Sequence, residues 1–388
     1  MRPGAQLAVV GLGTLVVPLD TTVNVAFPHI VTAFAIPVPA VKWLVISYVL
    51  THAGLMLAAG RLGDLFGYRR IFLIGCAWSA CAFALCTLAP SYEFLLAARA
   101  LQGVGAALVL SVGPALVTIA YPPERRVKVL ALYTMVFAIG AAIGPVLGGM
   151  LIATWGWSAV YAFRIPLALL AFAFAFTLPT GPARTQARFD FAHFRNPILV
   201  MALVAGIGVN LAGFAILLLG PFLLRLVADL SPVAGGAVLM ASPLGMVIAA
   251  PLAERLAAIL GMRRLTALGL VITSTGLFLL GAGLPGMAAM AAAMFVQGFG
   301  QGLFQVANFD LITGALPAKD RGVAGGLAML TRSVGLMLGA TLLMLLAQTL
   351  SGSPGLTASG IQSTYLVAAL LPVILLIAML RTSSNVGR

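Results

Sequence analysis

The chain has 388 residues, of which only nine are acidic, and one of them, Asp20, lies well inside an apolar run. Arg99 interrupts another such run about two turns from its start. A charge surrounded by hydrocarbon is expensive unless it is protonated, paired or turned to an internal cavity, so embedded charges mark candidate sites. An arginine keeps its proton, so in an Asp20–Arg99 pair the carboxylate is the proton carrier. Motion that changes their separation would couple proton uptake and release to conformation. His52 lies at similar depth in the next run, and two readings stand: a proton relay with Asp20, or a histidine bonded to a backbone carbonyl or to Asn24. Other embedded polar groups are candidates to line a substrate cavity: Asn24, Gln102, Arg164, Asn210, Gln301, Gln305, Asn308, Asp310 and Arg332. Asp310 and Arg332 flank one polar loop and suit an interhelical pair. No nucleophile–base constellation is visible. Cys76, Cys81 and Cys86, five apart, turn to different helix faces. Neither catalytic nor metal residues are expected.

Hydrophobic residues make up 62% of the chain and charged ones 8%, against roughly 25% charged in soluble domains. That balance excludes soluble, disordered and secreted disulfide-bonded classes. At roughly 20 apolar residues per crossing, it suits about twelve spans. Polar breaks place them approximately at 5–31, 41–62, 71–89, 93–120, 128–154, 157–178, 197–223, 232–253, 265–283, 286–315, 322–349 and 361–380. The fold expected is an all-α polytopic membrane protein with 12 transmembrane helices in two six-helix bundles, residues 1–178 and 197–388. A cytoplasmic linker at 179–196 joins them, and a short cytoplasmic tail follows the last span. The start of the chain, which mimics a signal peptide, is read as a retained first helix because Asp20 interrupts it.

The net charge of +13 would point to nucleic acid in a soluble chain, but here it follows the enrichment of Lys and Arg in cytoplasmic loops. Of the 22 basic residues, Lys42 and Arg225 fall on the outer side and Arg99, Arg164 and Arg332 within spans. All others fall on one side, which puts both termini in the cytoplasm. A direct repeat agrees. Arg61-Leu62, Gly67 and Arg69-Arg70 recur 194 positions on as Arg255-Leu256, Gly261 and Arg263-Arg264. Gln102-Gly103 and Gly105 recur 195 positions on as Gln297-Gly298 and Gly300, as do Pro122 and Arg126 in Pro317 and Arg321, and Gly140 and Gly144 in Gly335 and Gly339. A parallel six-plus-six repeat implies two bundles rocking about a site near the midplane.

The segment Gly60-Arg61-Leu62-Gly63-Asp64-Leu65-Phe66-Gly67-Tyr68-Arg69-Arg70 resembles the signature loop of the major facilitator superfamily. The resemblance implies a cytoplasmic latch built from Gly60, Arg61, Asp64, Gly67, Arg69 and Arg70. In it Asp64 caps a helix end or pairs with nearby arginines, and Ala258 makes the latch one-sided. Leu19-Asp20-Thr21-Thr22-Val23-Asn24-Val25-Ala26 resembles the first-helix motif of fourteen-span drug–proton antiporters, although this chain has room for twelve spans. Arg99-x-x-Gln102-Gly103-x-Gly105 resembles the fourth-helix motif of the superfamily. Gly140, Gly144, Pro145, Gly148 and Gly149 resemble its fifth-helix antiporter seam, which Ala340 and Leu343 interrupt in the second half.

Together these resemblances imply a monomeric proton-coupled antiporter in a bacterial inner membrane that exports small amphipathic or hydrophobic molecules by alternating access. The proton gradient would stand in place of a cofactor. Its partners would be the small-molecule substrate, protons and the lipid bilayer, with no nucleic acid. The alternative is a symporter or facilitator for a polar or anionic metabolite, anchored by Arg164 or Arg332.

Overall fold

A computed structural model describes residues 3–119, 121, 123–179, 194–316, 324–352 and 355–385. The chain divides into two compact units, Met1–Gln186 and Ala187–Arg388. The described residues are helical, with no strand among them. The first unit holds α1 (Pro3–Leu15), α2 (Thr21–Phe34), α3 (Lys42–Phe66), α4 (Tyr68–Thr87), α5 (Tyr92–Ile119), α6 (Pro123–Trp155), α7 (Ala159–Ala162) and α8 (Arg164–Ala175). The second holds α9 (Pro197–Ala228), α10 (Pro232–Leu260), α11 (Met262–Gly281), α12 (Met287–Ala315), α13 (Ala324–Ser351) and α14 (Ala358–Asn385). Among the described residues, 11 helical runs are long and apolar enough to cross a membrane, and a shorter one, Ala159–Ala175, occupies the sixth position.

Two expected spans differ from single continuous helices, and proline explains both. The first run, Gly4–Phe34, breaks between α1 and α2 at a 3-10 turn, Pro18–Asp20. Pro18 has no N–H to return to the carbonyl of Thr14. Val17 takes that carbonyl instead, and Asp20 N–H bonds the carbonyl of Val17, both three residues back and both at 3.0 Å. The sixth run breaks at Phe163, between α7 and α8. There Pro166 cannot donate to the carbonyl of Ala162.

The repeat seen in sequence is also a repeat of contacts. Gly67 and Gly261 end α3 and α10 with φ of 90° and 77°, a conformation that suits glycine, and α4 and α11 start on the next residue. Gly103 of α5 presses on the backbone of Tyr48 and His52 in α3, and Gly298 of α12 presses on the backbone of Ser242 in α10. Gly105 meets Ser79 of α4, as Gly300 meets Thr273 of α11. Both partners, like both glycines, stand about one half-chain apart. Glycine lets such crossings close because no side chain separates the backbones. The Pro122–Pro317 match lies outside the described residues, as do residues 180–193 of the linker.

A methyl group at Gly298 would fall on the carbonyl of Ser242. Overpacking of this kind costs about 1–3 kcal/mol, so Gly298→Ala is expected to lower the melting temperature of the detergent-solubilised protein. Gly314→Ala, with nothing within 4 Å, should leave it unchanged. Equal melting of the two variants would contradict the close α10–α12 crossing.

Candidate functional site

The break in the first span gives Asp20 its place. As the last residue of the 3-10 turn, it leaves the apolar stack of α1 and presents its carboxylate to α5 and α8. Arg99 Nη1 and Nη2 donate to its two oxygens at 2.6 and 2.9 Å, a bidentate pair. Gln102 Nε2 and Arg164 Nη1 each donate to Oδ1 at 2.9 Å. Arg99 and Arg164 are buried, whereas the Asp20 side chain keeps 18% of its exposure. Gln102 also accepts from Arg99 Nη1 at 2.7 Å. The spacing of Arg99 and Gln102, three apart on α5, lets both reach one carboxylate.

Backbone and aromatic groups fix the two guanidiniums. Arg99 Nε donates to the carbonyl of Leu44, and Arg164 Nε to that of Val160, each at 3.0 Å. The Tyr48 ring lies 4.5 Å from the Arg99 guanidinium, and Phe83 and Tyr161 lie 4.6 and 5.4 Å from that of Arg164. Such faces stabilise a desolvated cation. Gln102 and Arg164, expected among the cavity-lining groups, therefore belong to the ion cluster, because the breaks before Asp20 and Arg164 turn their side chains to a common point. His52 joins through ring stacking on Tyr48, with centroids 5.8 Å apart. Asn24, about one turn beyond Asp20, is buried. Two donors at this site, Arg164 Nη2 and the Tyr161 hydroxyl, are buried without a hydrogen-bond partner among the described residues.

The glycine stripe of α6 packs on the same break. Gly140 faces Leu15 and Pro18, Gly144 faces Thr21, and Gly148 faces the backbone of Thr22. Thr21 Oγ1 donates to the carbonyl of Ala141 at 3.2 Å, which ties the two segments. α6 runs unbroken through Pro145, and Gly149 is buried beside Gly148. The stripe, expected as a seam, thus bears on the turn that carries Asp20.

The second unit has amides where the first has charges. Ser242 Oγ donates to Gln297 Oε1 at 2.8 Å, and Gln297 Nε2 to Gln301 Oε1 at 2.7 Å. Gln301 and Gln305 approach Asn210 Oδ1 at 3.5 and 3.4 Å, and Asn210 Nδ2 donates to the carbonyl of Gly206 at 2.7 Å. Asn308 is buried beside a cavity of about 100 Å³ that Arg263 also lines. Asp310 is exposed, and Arg332 is half-buried on α13. The sequence reading missed Ser242 and the role of Gln297, although Gln297 repeats Gln102.

The sequence profile of the Major Facilitator Superfamily matches residues 10–242 and 205–386. The chain belongs to that superfamily. Its apolar helices are those of a multi-pass membrane protein, as in that superfamily of transporters. It is 38% identical over 166 residues to the multidrug resistance protein Stp of Mycobacterium tuberculosis (strain CDC 1551 / Oshkosh), in a match covering 42% of this chain and 31% of that one. The chain thus spans about a third of that relative's length. It is 25% identical over 391 residues to the riboflavin transporter RibZ of Clostridioides difficile (strain 630), covering 86% of each. The crystal structure of a bacterial homologue of the human lysosomal transporter Spinster shares its fold, with a TM-score of 0.80 at 17% identity over 97% of this chain and 96% of that one.

In this superfamily member the signature loop is wired differently from the expectation. Gly60, Arg61 and Asp64 lie in the last turns of α3. Asp64 accepts from the Tyr68 hydroxyl at 2.7 Å, and among the described residues no arginine lies within ion-pair distance of it. The turn at Gly67 starts α4 on Tyr68, which puts that hydroxyl ahead of any arginine. Arg69 donates instead to the carbonyl of Phe176 beyond the end of α8, where a cation suits the helix C-terminus. Arg61 and Arg70 are exposed.

A valine at Gly144 would drive its side chain into Thr21. Gly144→Val is expected to cut transport by about tenfold while the protein still inserts, since the ~1.4 kcal/mol that a tenfold effect requires lies within the about 1–3 kcal/mol that overpacking costs. Transport at the wild-type rate, in vesicles matched for protein amount, would discard the seam.

Proposed function

We propose that this transporter is a proton-coupled antiporter that exports small amphipathic or hydrophobic molecules by alternating access. Its setting would be a bacterial inner membrane, with both termini in the cytoplasm. The observation that carries the reading is the Asp20 carboxylate, gripped by Arg99 at the one break in the first span. Guanidiniums close to a carboxylate favour its charged form, and their withdrawal favours proton uptake. The 3-10 turn is the place where that separation can change. Its short-range hydrogen bonds are poorer than those of an α-helix, and such turns mark hinges. The glycine stripe of α6 gives the turn a smooth surface to move on. Each inward proton moving through 100 mV would supply about 2.3 kcal/mol.

The drug-resistance name of Stp supports export, as do the antiporter-like motifs of the first half. A second reading, transport of a polar or anionic metabolite, is favoured by RibZ, which matches over most of both chains and is named for riboflavin. Saturable riboflavin uptake into right-side-out vesicles would support that reading over export.

Asp20→Asn is expected to abolish pH-gradient-driven uptake of a neutral amphipathic dye into inverted vesicles while leaving dye binding within about threefold, a difference of less than ~1 kcal/mol. Undiminished gradient-driven uptake in that variant would refute the coupling role.

A further inference from the structure

We propose that the Asp20 cluster selects the charge of the transported molecule, admitting neutral and singly negative amphipaths and refusing lipophilic cations, with Arg164 as the deciding residue. The proposal rests on the antiporter reading in taking the surroundings of Asp20 as the place the substrate visits.

Two guanidiniums face one carboxylate. Arg99 and Arg164 both bond Asp20 Oδ1, and no other carboxylate pairs with either among the described residues. Asp64 is spent on Tyr68 at the end of α3, and Glu93 is exposed in the first turn of α5. With Asp20 ionised, the cluster keeps one uncompensated positive charge. Tyr48, Phe83 and Tyr161 cushion that charge with their ring faces but do not cancel it. The repeat supplies no carboxylate at the equivalent place in the second unit, where Met294 stands for Arg99 and Gln297 bonds Ser242 and Gln301.

Hydrogen bonding points the same way as charge. Arg164 Nη2 and the Tyr161 hydroxyl, both buried, lack partners among the described residues. Both side chains are fully buried, so a carbonyl, phenolate or carboxylate on the transported molecule would accept from them only once the cluster opens during transport. A quaternary cation brings no acceptor, and it meets the positive field as well. Asp20 keeps 18% exposure, so the field reaches accessible space on its carboxylate side. At about 10 Å and an effective dielectric of about 20, one unit charge alters affinity by roughly tenfold or more.

The test uses the full-length protein in detergent, without a gradient, and two hydrophobic ions of nearly equal size and shape. Affinities for tetraphenylborate and tetraphenylphosphonium are measured by titration calorimetry near neutral pH and corrected for empty micelles. Their ratio favours the borate in the wild type. Arg164→Gln should shift it toward the phosphonium by about tenfold, whereas Arg164→Lys should hold it near the wild-type value. Asp20→Asn, which adds a net positive charge, should shift it further toward the borate. Opposite movements in the two neutralising variants are not what structural damage produces. If Arg164→Gln does not fold, the Asp20→Asn arm decides. A ratio within twofold of wild type in folded Arg164→Gln, or a shift toward the phosphonium in Asp20→Asn, overturns the proposal. Because binding is read without a gradient, a failure of proton coupling in vesicles is a separate outcome.

Discussion

A carboxylate and two guanidiniums share the apolar interior of the first unit, and the rest of that unit is arranged to make this tolerable. Breaking a buried pair by removing one partner typically costs about 3–5 kcal/mol, because it strands the other charge. Here each guanidinium is held by a carboxylate oxygen, a backbone carbonyl and an aromatic face, so no one of these contacts carries the whole burden. The prolines at 18 and 166 break the spans next to Asp20 and Arg164. The glycines of α6 let the first break lie close against a neighbouring helix. Asp20 accepts from both guanidiniums and from Gln102, and under the antiporter reading its protonation would release them.

The two units use the same scaffold for different ends. Glycine crossings between α3 and α5 recur between α10 and α12, and Gln102 recurs as Gln297. Around Gln102 the repeat carries ions, whereas around Gln297 it carries amides and a serine. A neutral amide network can exchange hydrogen bonds at modest cost, while an ion cluster responds to a proton. Under the antiporter reading, proton chemistry is therefore concentrated in the first unit, and the second offers donors and acceptors without net charge.

Much of this was legible in the residues. Asp20 and Arg99 stood out because charges are costly in apolar runs, and the half-chain repeat named the glycines that make the crossings. The partnership of Arg164 was harder to see, since the sixth span read as one helix and its break at Phe163 turns that side chain inward. A signal did exist. Asp20 is the one acid embedded in the first-half runs, so an embedded arginine there has no other carboxylate to share. The Asp64 contact was not legible for a related reason: the residues suggested a helix-end cap or an arginine pair, and the positive-φ turn at Gly67 brings the Tyr68 hydroxyl to Asp64.

The central claim is that Asp20 alternates between an arginine-paired carboxylate and a protonated acid during transport. Infrared difference spectroscopy of the reconstituted protein reads this directly, through the C=O stretch that appears only when a carboxyl group is protonated. The account predicts that such a band rises on acidification, falls on addition of transported substrate, and is missing in Asp20→Asn. A band of equal size in Asp20→Asn, or none in a wild-type protein that is transporting, would contradict it.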